Sequence, residues 1–396
     1  MGLIEGKSME LKTPYYVIHK EELDSNFKKL KDAIEKHWSN YIIGYSYKTN
    51  ALPWVIKHFD TLGCYAEVVS EDEYNLAKLI GVQKDSIIYN GPIKTKDSFI
   101  EALENGCIVN IDSQREIEWL EEVEEEKRTV GIRINFDIEK MCPGQSQCAE
   151  EGGRFGFCYE NGEFSKVIQK LQEKNVKISG IHLHTSSKSR GLDIYRAIAE
   201  MACKVQEESG FDLNYIDVGG GFFGGLSTKP QFDEYLSLME GILSKYFDKQ
   251  RTKLIVEPGM AVIGAPISYV TTVVDVKDTE FNRFVVTDGT RTSIDPLMTK
   301  SSYFHTYERQ IDKEKLPRQV ICGYTCMEHD RLFTAIKEPE LIIGDKIIYD
   351  KVGAYTMCLT PLFIKYFPDV YVEENGDLRI VRNAWKPEQY VMNSMI

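Results

Sequence analysis

A lysine stands where a β-rich run ends. Tyr41, Ile42, Ile43, Gly44, Tyr45, Ser46 and Tyr47 lead directly into Lys48. A lysine in that place suits a surface residue whose ammonium reaches water, or an amine that attacks a carbonyl. Three other apolar runs end in chemistry-bearing residues: HLHTSS with His182 and His184, GGGFFGG at 219–225, and EPG from Glu257 to Gly259. Gly219, Gly220 and Gly221 would let backbone N–H groups approach a phosphate closely, because no Cβ stands in the way. They equally suit a tight loop. Glu257 could serve a structural ion pair or hold a proton on a ligand. His182 and His184 share a strand face, which is compatible with a metal pair. No third ligand is evident near them in the sequence, so no metal is expected.

The elements that must position these residues alternate. Short β-rich runs occur at 41–47, 64–69, 86–91, 107–112, 129–136, 177–184, 214–218 and 253–257. Between them lie patterns with apolar residues every three or four positions, at 71–81, 97–106, 113–126, 164–175 and 195–210. Eight alternating units predict a (β/α)8 barrel, with a doubly wound open sheet as the competitor. In a barrel all strand C-termini open on one mouth, and phosphate commonly binds after the seventh and eighth strands. GGGFFGG and EPG fall at those two places. An amine, a phosphate cradle and an acid at one mouth match pyridoxal phosphate. Its aldehyde needs a lysine, and a carboxylate can keep its ring nitrogen protonated. His184 would then cover one ring face.

After about residue 265 the rhythm turns to strands with turn signals, as in ISYVTTVVDVKD, RFVVTDG, RQVICG and ELIIGDKIIYDKVG. The expected division is a barrel over 26–264 and an all-β domain made of 1–25 and 265–396, with the early strand PYYVIHK (14–20) pairing into the latter. The acidic run EEVEEE at 121–126 reads as a solvated helix face. The net charge of −13 has no basic block, which argues against a nucleic-acid partner. No apolar run approaches the roughly 20 residues that span a bilayer. The opening MGLIEGKSMELKTP lacks the apolar core of a secretory signal. A cytoplasmic protein without membrane contact is expected. The nine cysteines include no CxxC pair, so neither a zinc site nor a disulfide framework is indicated. Cys142 and Cys148 share a polar, Gly-rich loop, where incidental thiols are favoured over a regulatory disulfide.

Together these segments resemble the alanine-racemase-type barrel of pyridoxal-phosphate enzymes, in its diaminopimelate/ornithine decarboxylase branch. YSYKTN is similar to the motif of the lysine that bonds the cofactor's aldehyde. EVVSEDE, beginning at Glu67, and IIYNGPIKT are similar to the stretches after strands two and three, and RFG, with Arg154, to a basic-Phe-Gly element. HLHTSS gives the ring-stacking His184 and places Ser187 at a phosphate-binding position. GYTCMEHD (323–330) resembles a Cys-x-x-x-Asp element. The resemblance implies that this element is donated across a dimer interface, with Cys326 as an acid over the cofactor. VGAYT gives Tyr355, a phosphate-binding tyrosine. The resemblance implies decarboxylation of an amino acid by a homodimer with shared active sites. The family also holds racemases, whose ring nitrogen typically faces an arginine; Glu257 points to decarboxylation instead. Some proteins of the fold bind partners without cofactor chemistry, but Lys48, Cys326 and Tyr355 are all present here.

The substrate positions depart from the pattern. Diaminopimelate decarboxylases usually follow EPG with Arg, where this chain has Met260. Their Arg-Pro becomes Asp295-Pro296, and the acid after the reactive cysteine becomes Met327. Where ornithine-type enzymes use an aspartate, ungapped matching places Lys300. An ammonium at the pocket's end would repel a cationic substrate tail and welcome an anionic one. The expected substrate therefore carries an acidic or conjugated tail, as in specialised biosynthesis, with Arg291 helping to bind it. The alternative is that loop lengths shift this matching. Glu328 or Asp295 then supplies the amine-binding acid, with Asp330 also on the substrate side, and diaminopimelate or a basic amino acid is the substrate.

Overall fold

The computed structural model describes residues 11–395. The signal-peptide reading of the opening segment rests mostly on residues outside that range. The chain forms two compact units. One is Asn26–Ala261, and the other joins the chain up to Ser25 to everything from Val262 onward.

In the first unit eight parallel strands close into a barrel: Tyr41–Ser46, Tyr65–Ser70, Ile87–Ile93, Ile108–Ile111, Thr129–Asn135, Lys177–His182, Tyr215–Asp217 and Lys253–Val256. The first and last strands pair in parallel, Ile42 opposite Ile255, which closes the ring and excludes the open sheet. The strands are short and rich in Ile, Val and Tyr, as buried parallel strands are. Ile42, Ile88, Tyr215 and Ile255 pack as one buried cluster of strand residues. Helices between strands carry the end signals their sequences promise. In Glu71–Ile80, Ser70 Oγ accepts from the N–H of Glu73, and Gly81 ends the helix at φ 85°.

Two stretches differ from the periodic reading. The 113–126 pattern forms a helix only over Gln114–Trp119, then breaks into two 3-10 turns, Leu120–Glu122 and Glu125–Lys127. Burial of Val123 between the glutamates pulls the chain out of helical register, so the acidic run is exposed turn rather than helix face. Cys142 and Cys148 lie on a long segment without extended secondary structure. Neither forms a disulfide, and the Cys142 thiol is buried and donates to the carbonyl of Asp193.

The second unit is a nine-stranded mixed sheet. Tyr15–His19 lies inside it, antiparallel to Ile267–Asp278 and parallel to Asp369–Glu374. Ile267–Asp278 also pairs with Arg283–Thr287 and Lys346–Asp350. Phe304–Glu308 and the hairpins Lys315–Cys322/Arg331–Pro339 and Asp369–Glu374/Asp377–Arg382 complete it.

Candidate active site

The mouth of the barrel gathers residues from the ends of the first, second, sixth, seventh and eighth strands. Lys48 sits in the 3-10 turn Tyr47–Thr49 that follows the first strand. Its Nζ donates to Glu67 Oε2 at 2.8 Å. Glu67, near the end of the second strand, is buried and also accepts from Ser46 Oγ at 2.5 Å and Asn90 Nδ2 at 3.1 Å. Asn90 continues the chain of contacts to Glu257, donating to its Oε1 at 2.5 Å. The amine and the acid nominated in the sequence are thus two hydrogen-bonded neighbours apart.

Glu257 belongs to a buried charge cluster. His182 Nε2 lies 3.6 Å from its Oε2, and donor atoms of His182, Asp217 and Glu257 all fall within 4.8 Å of one another. The sequence shows no third ligand for the histidines. The structure groups Asp217 and Glu257 with His182 and not with His184, because the ends of strands six, seven and eight converge. Burial works against a charged Glu257, but the charges of His182 and Lys48 outweigh it and hold the carboxyl below its usual range. Asp217 moves the other way. Burial and then the neighbouring Glu257 charge raise it well above normal, so it carries the proton of the pair. Its Oδ1 accepts from the N–H of Gly219, and its Oδ2 from Asn110 Nδ2.

The glycines shape the space beside this cluster. Gly219 has φ +70°, and a Cβ there would lie 2.5 Å from both Cβ and Nδ1 of His184. Only glycine lets the imidazole lie against this turn. The N–H of Gly220 points at His184 Nδ1 at 3.3 Å, which fixes that nitrogen as an acceptor. Burial, then the charges of Arg133 and Lys48, depress the His184 pKa to about 3, so the ring is neutral. A Cβ at Gly259 would stand 2.0 Å from Thr49 Oγ1, so the EPG turn and the Lys48 turn touch. Ser187 Oγ accepts from the N–H of Arg190. Arg154 is exposed and stacks on Phe155, with its guanidinium carbon 4.1 Å from the ring centre.

The remaining candidates lie in the sheet unit. Asp295 is buried. Its Oδ2 accepts from Arg291 Nε and Nη2 (3.2 and 3.1 Å), from the Lys300 N–H and from Tyr303 Oη, and its Oδ1 from the Thr299 N–H. Burial would raise its pKa, yet these donors lower it. Lys300 donates to the carbonyl of Ile294 at 3.3 Å, and burial lowers its pKa against the pull of Asp295. Asp330 is also buried. It accepts from Thr290 Oγ1, the Arg291 N–H, and both the N–H and Oγ1 of Thr325. It therefore ties the turn before Cys326 to the segment carrying Arg291. Cys326 and Glu328 are exposed, Met327 is half-buried, and Tyr355 adopts φ 55° and is 37% exposed.

A family model for the pyridoxal-binding domain of pyridoxal-dependent decarboxylases matches residues 21–264. The diaminopimelate decarboxylase of Aquifex aeolicus is 26% identical over 98% of this chain and 93% of its own length. Mouse ornithine decarboxylase is 24% identical over 83% of this chain and 74% of its own. The crystal structure of diaminopimelate decarboxylase from M. jannaschii superposes with a TM-score of 0.86 at 22% identity, covering 98% of this chain and 93% of the other. The chain belongs to the pyridoxal-dependent decarboxylases.

It is a pyridoxal-phosphate-dependent amino acid decarboxylase of the diaminopimelate/ornithine type. The barrel residues fit the cofactor. Both ring nitrogens of His182 are buried without a hydrogen bond, although Nε2 lies 3.6 Å from Glu257 Oε2, so polar atoms beside the acid have capacity for a ligand. Glu257 would hold the ring nitrogen, Gly219–Gly221 and Gly259 the phosphate, and Lys48 the aldehyde.

Four functional candidates of the decarboxylase do not stand out in the sequence. Asn90 and Asn110 link the acids, and Asp217 carries their proton. Arg133, on the fifth strand, donates to Asp112 Oδ2 and to the carbonyl of His184, with its guanidinium 4.7 Å from the Phe155 ring. Arg133 alone has a signal that could have found it: GIRIN places a cation inside an otherwise apolar strand, which demands a buried partner.

Proposed function

We propose that this decarboxylase acts on an amino acid whose tail is anionic or conjugated rather than cationic. The observation that carries this reading is the saturation of Asp295. By resemblance it stands where substrate tails are read, and its carboxylate already accepts from five donors. Asp330 is likewise occupied, and Glu328 is 98% exposed beside Arg331. None of the three offers a buried, unpaired acid to a substrate ammonium, while Lys300 is exposed and its amine, among the described residues, meets only the carbonyl of Ile294. A second reading rests on the names of the relatives: diaminopimelate itself, whose tail carries both charges. Measuring CO2 release from diaminopimelate, lysine, ornithine, arginine and a series of amino acids with carboxylate tails separates the two. Efficient turnover of any of the first four would sink the anionic-tail reading.

When bound, pyridoxal phosphate supplies an aldehyde for the substrate amine and a ring that accepts the electrons left as CO2 departs. The protein's part is to orient and to handle protons. Lys48 would be the amine that holds the aldehyde, and Glu67 holds its Nζ in place. Glu257, held charged, would hold the protonated ring nitrogen, with Asp217 keeping its own proton beside it. His184, neutral, would lie against the cofactor without competing for charge. Cys326 of a second copy of the chain would supply a proton to the substrate Cα, Tyr355 and Ser187 would hold the phosphate, and Arg154 and Arg291 would bind substrate. The proposal includes a homodimer with shared sites in a reducing cytoplasm, which suits the buried, unbridged thiols of Cys64, Cys107 and Cys203. Mixing inactive Lys48→Ala and Cys326→Ala chains is expected to regenerate about a quarter of the activity by subunit exchange. No regain in a demonstrably mixed population would refute sharing.

A further inference from the structure

One cation of the barrel unit is engaged by none of the acids at the mouth: Arg190, at the end of the HTSSKSR segment. Its backbone is held from both sides. Its N–H donates to Ser187 Oγ at 3.0 Å, and its carbonyl accepts from Tyr235 Oη at 2.6 Å. The residue sits at φ +49°, a conformation uncommon for a side chain of this size, so the fold fixes its direction against a local preference. The guanidinium reaches two places. Its Nη1 lies 2.5 Å from Met260 Sδ, directly after Gly259, and its carbon lies 5.6 Å from the ring centre of Phe223, two residues past Gly221. Among the described residues no carboxylate pairs with it. A thioether and a phenyl face support a guanidinium without neutralising it.

This puts a positive charge that no carboxylate pairs with, among the described residues, against Met260 and Phe223, the residues that follow the two glycine turns of the cradle. Backbone N–H groups offer a phosphate only partial charges, and no side chain of the cradle itself, neither Ser187 nor Met260, adds a full one. A guanidinium is the group best suited to a phosphate, binding two oxygens at once. We propose that Arg190 is the cation that binds the cofactor's phosphate, delivered from the loop after strand six to a place where the EPG turn presents only Met260. Lys229 also lies over Phe223, at 5.3 Å, but is exposed and serves as the control.

The test compares pyridoxal phosphate with pyridoxal, which lacks the phosphate. Apoprotein is titrated with each, and binding is followed by quenching of protein fluorescence. Arg190→Ala is expected to weaken pyridoxal phosphate by about tenfold or more. Pyridoxal should stay within about twofold, as should both ligands on Lys229→Ala. Met260→Arg in the Arg190→Ala background should return part of the lost affinity. Should Arg190→Ala not fold, Arg190→Lys keeps a charge without the fork and is expected to show a smaller loss, again for the phosphorylated ligand alone. Unchanged pyridoxal phosphate affinity, an equal loss for both ligands, or a selective loss on Lys229→Ala instead would overturn the assignment.

Discussion

The acids at the barrel mouth and the acids of the sheet unit are equally buried but differently supplied. Glu67, Asp217 and Glu257 share one hydroxyl, one backbone N–H, two side-chain amides, one lysine and His182, whose Nε2 lies 3.6 Å from Glu257. Asp295 and Asp330 are ringed by donors, most of them backbone N–H groups and hydroxyls of their own segments. An acid with all its lone pairs engaged holds a loop. An acid left short of donors costs stability and has capacity for a ligand. The contrast divides the candidates into reacting and positioning groups, and it can be broken by substitution.

The largest effect is expected at Lys48. Replacing it with alanine removes the covalent hold on the cofactor and the amine that moves protons. Decarboxylation should fall by at least about 10³-fold. Borohydride should no longer fix the cofactor to the chain, a change read by mass spectrometry. Turnover near the unmodified level would end the assignment.

The two groups of acids should respond in opposite ways to replacement by the amide. Asp217→Asn should leave the urea midpoint level or raise it, because burial and the neighbouring Glu257 already disfavour a charge on that carboxyl. Asp295→Asn should do the reverse. It gives up charge-assisted hydrogen bonds worth about 1.5–3 kcal/mol, so the urea midpoint drops. Should both variants lose stability alike, the supply of donors does not distinguish the two regions.

How far the sequence shows these regions differs for a physical reason. Barrel strands are set by runs of apolar residues, and their ends by glycines and polar residues, so Lys48, His184, Gly219–Gly221 and Glu257 stand out. Strands of the sheet unit such as Phe304–Glu308 and Asp377–Arg382 are half exposed, and their polar, charged composition hides them from an apolar-run criterion. Asn90, Asn110 and Asp217 stay hidden because each lies in a strand whose pattern explains its neighbours but not itself. The saturation of Asp295 depends on Thr299, Lys300 and Tyr303 folding back on it, which no spacing rule announces.

His184 gives a pH test of the mouth. Its folded pKa is depressed from 6.5 to about 3. Below pH 6.5 the unfolded chain takes up a proton that the folded chain refuses until about pH 3. Stability therefore rises with pH across that window and is not penalised above it. At pH 5 the penalty is at most about 2 kcal/mol. His184→Gln should flatten the rise in urea midpoint between pH 4 and pH 6.5, within about the range set by that shift. An unchanged slope would show that the imidazole titrates normally.

The smallest effect separates two arginines that share one ring. Arg133 and Arg154 both lie over Phe155, at 4.7 and 4.1 Å, yet only Arg133 is buried. Arg133 also holds Asp112 and the carbonyl of His184, so its loss leaves buried acceptors without a donor. An exposed stack such as that of Arg154 is worth about 0.5–1 kcal/mol. Arg154→Ala should therefore shift the urea midpoint by no more than that and leave the His184-dependent pH slope intact. Its role should be confined to substrate, visible as a rise in KM. A large stability loss on Arg154→Ala would mean that the ring and its outer cation form part of the support for Arg133, and the boundary between mouth and surface would have to be drawn one residue further out.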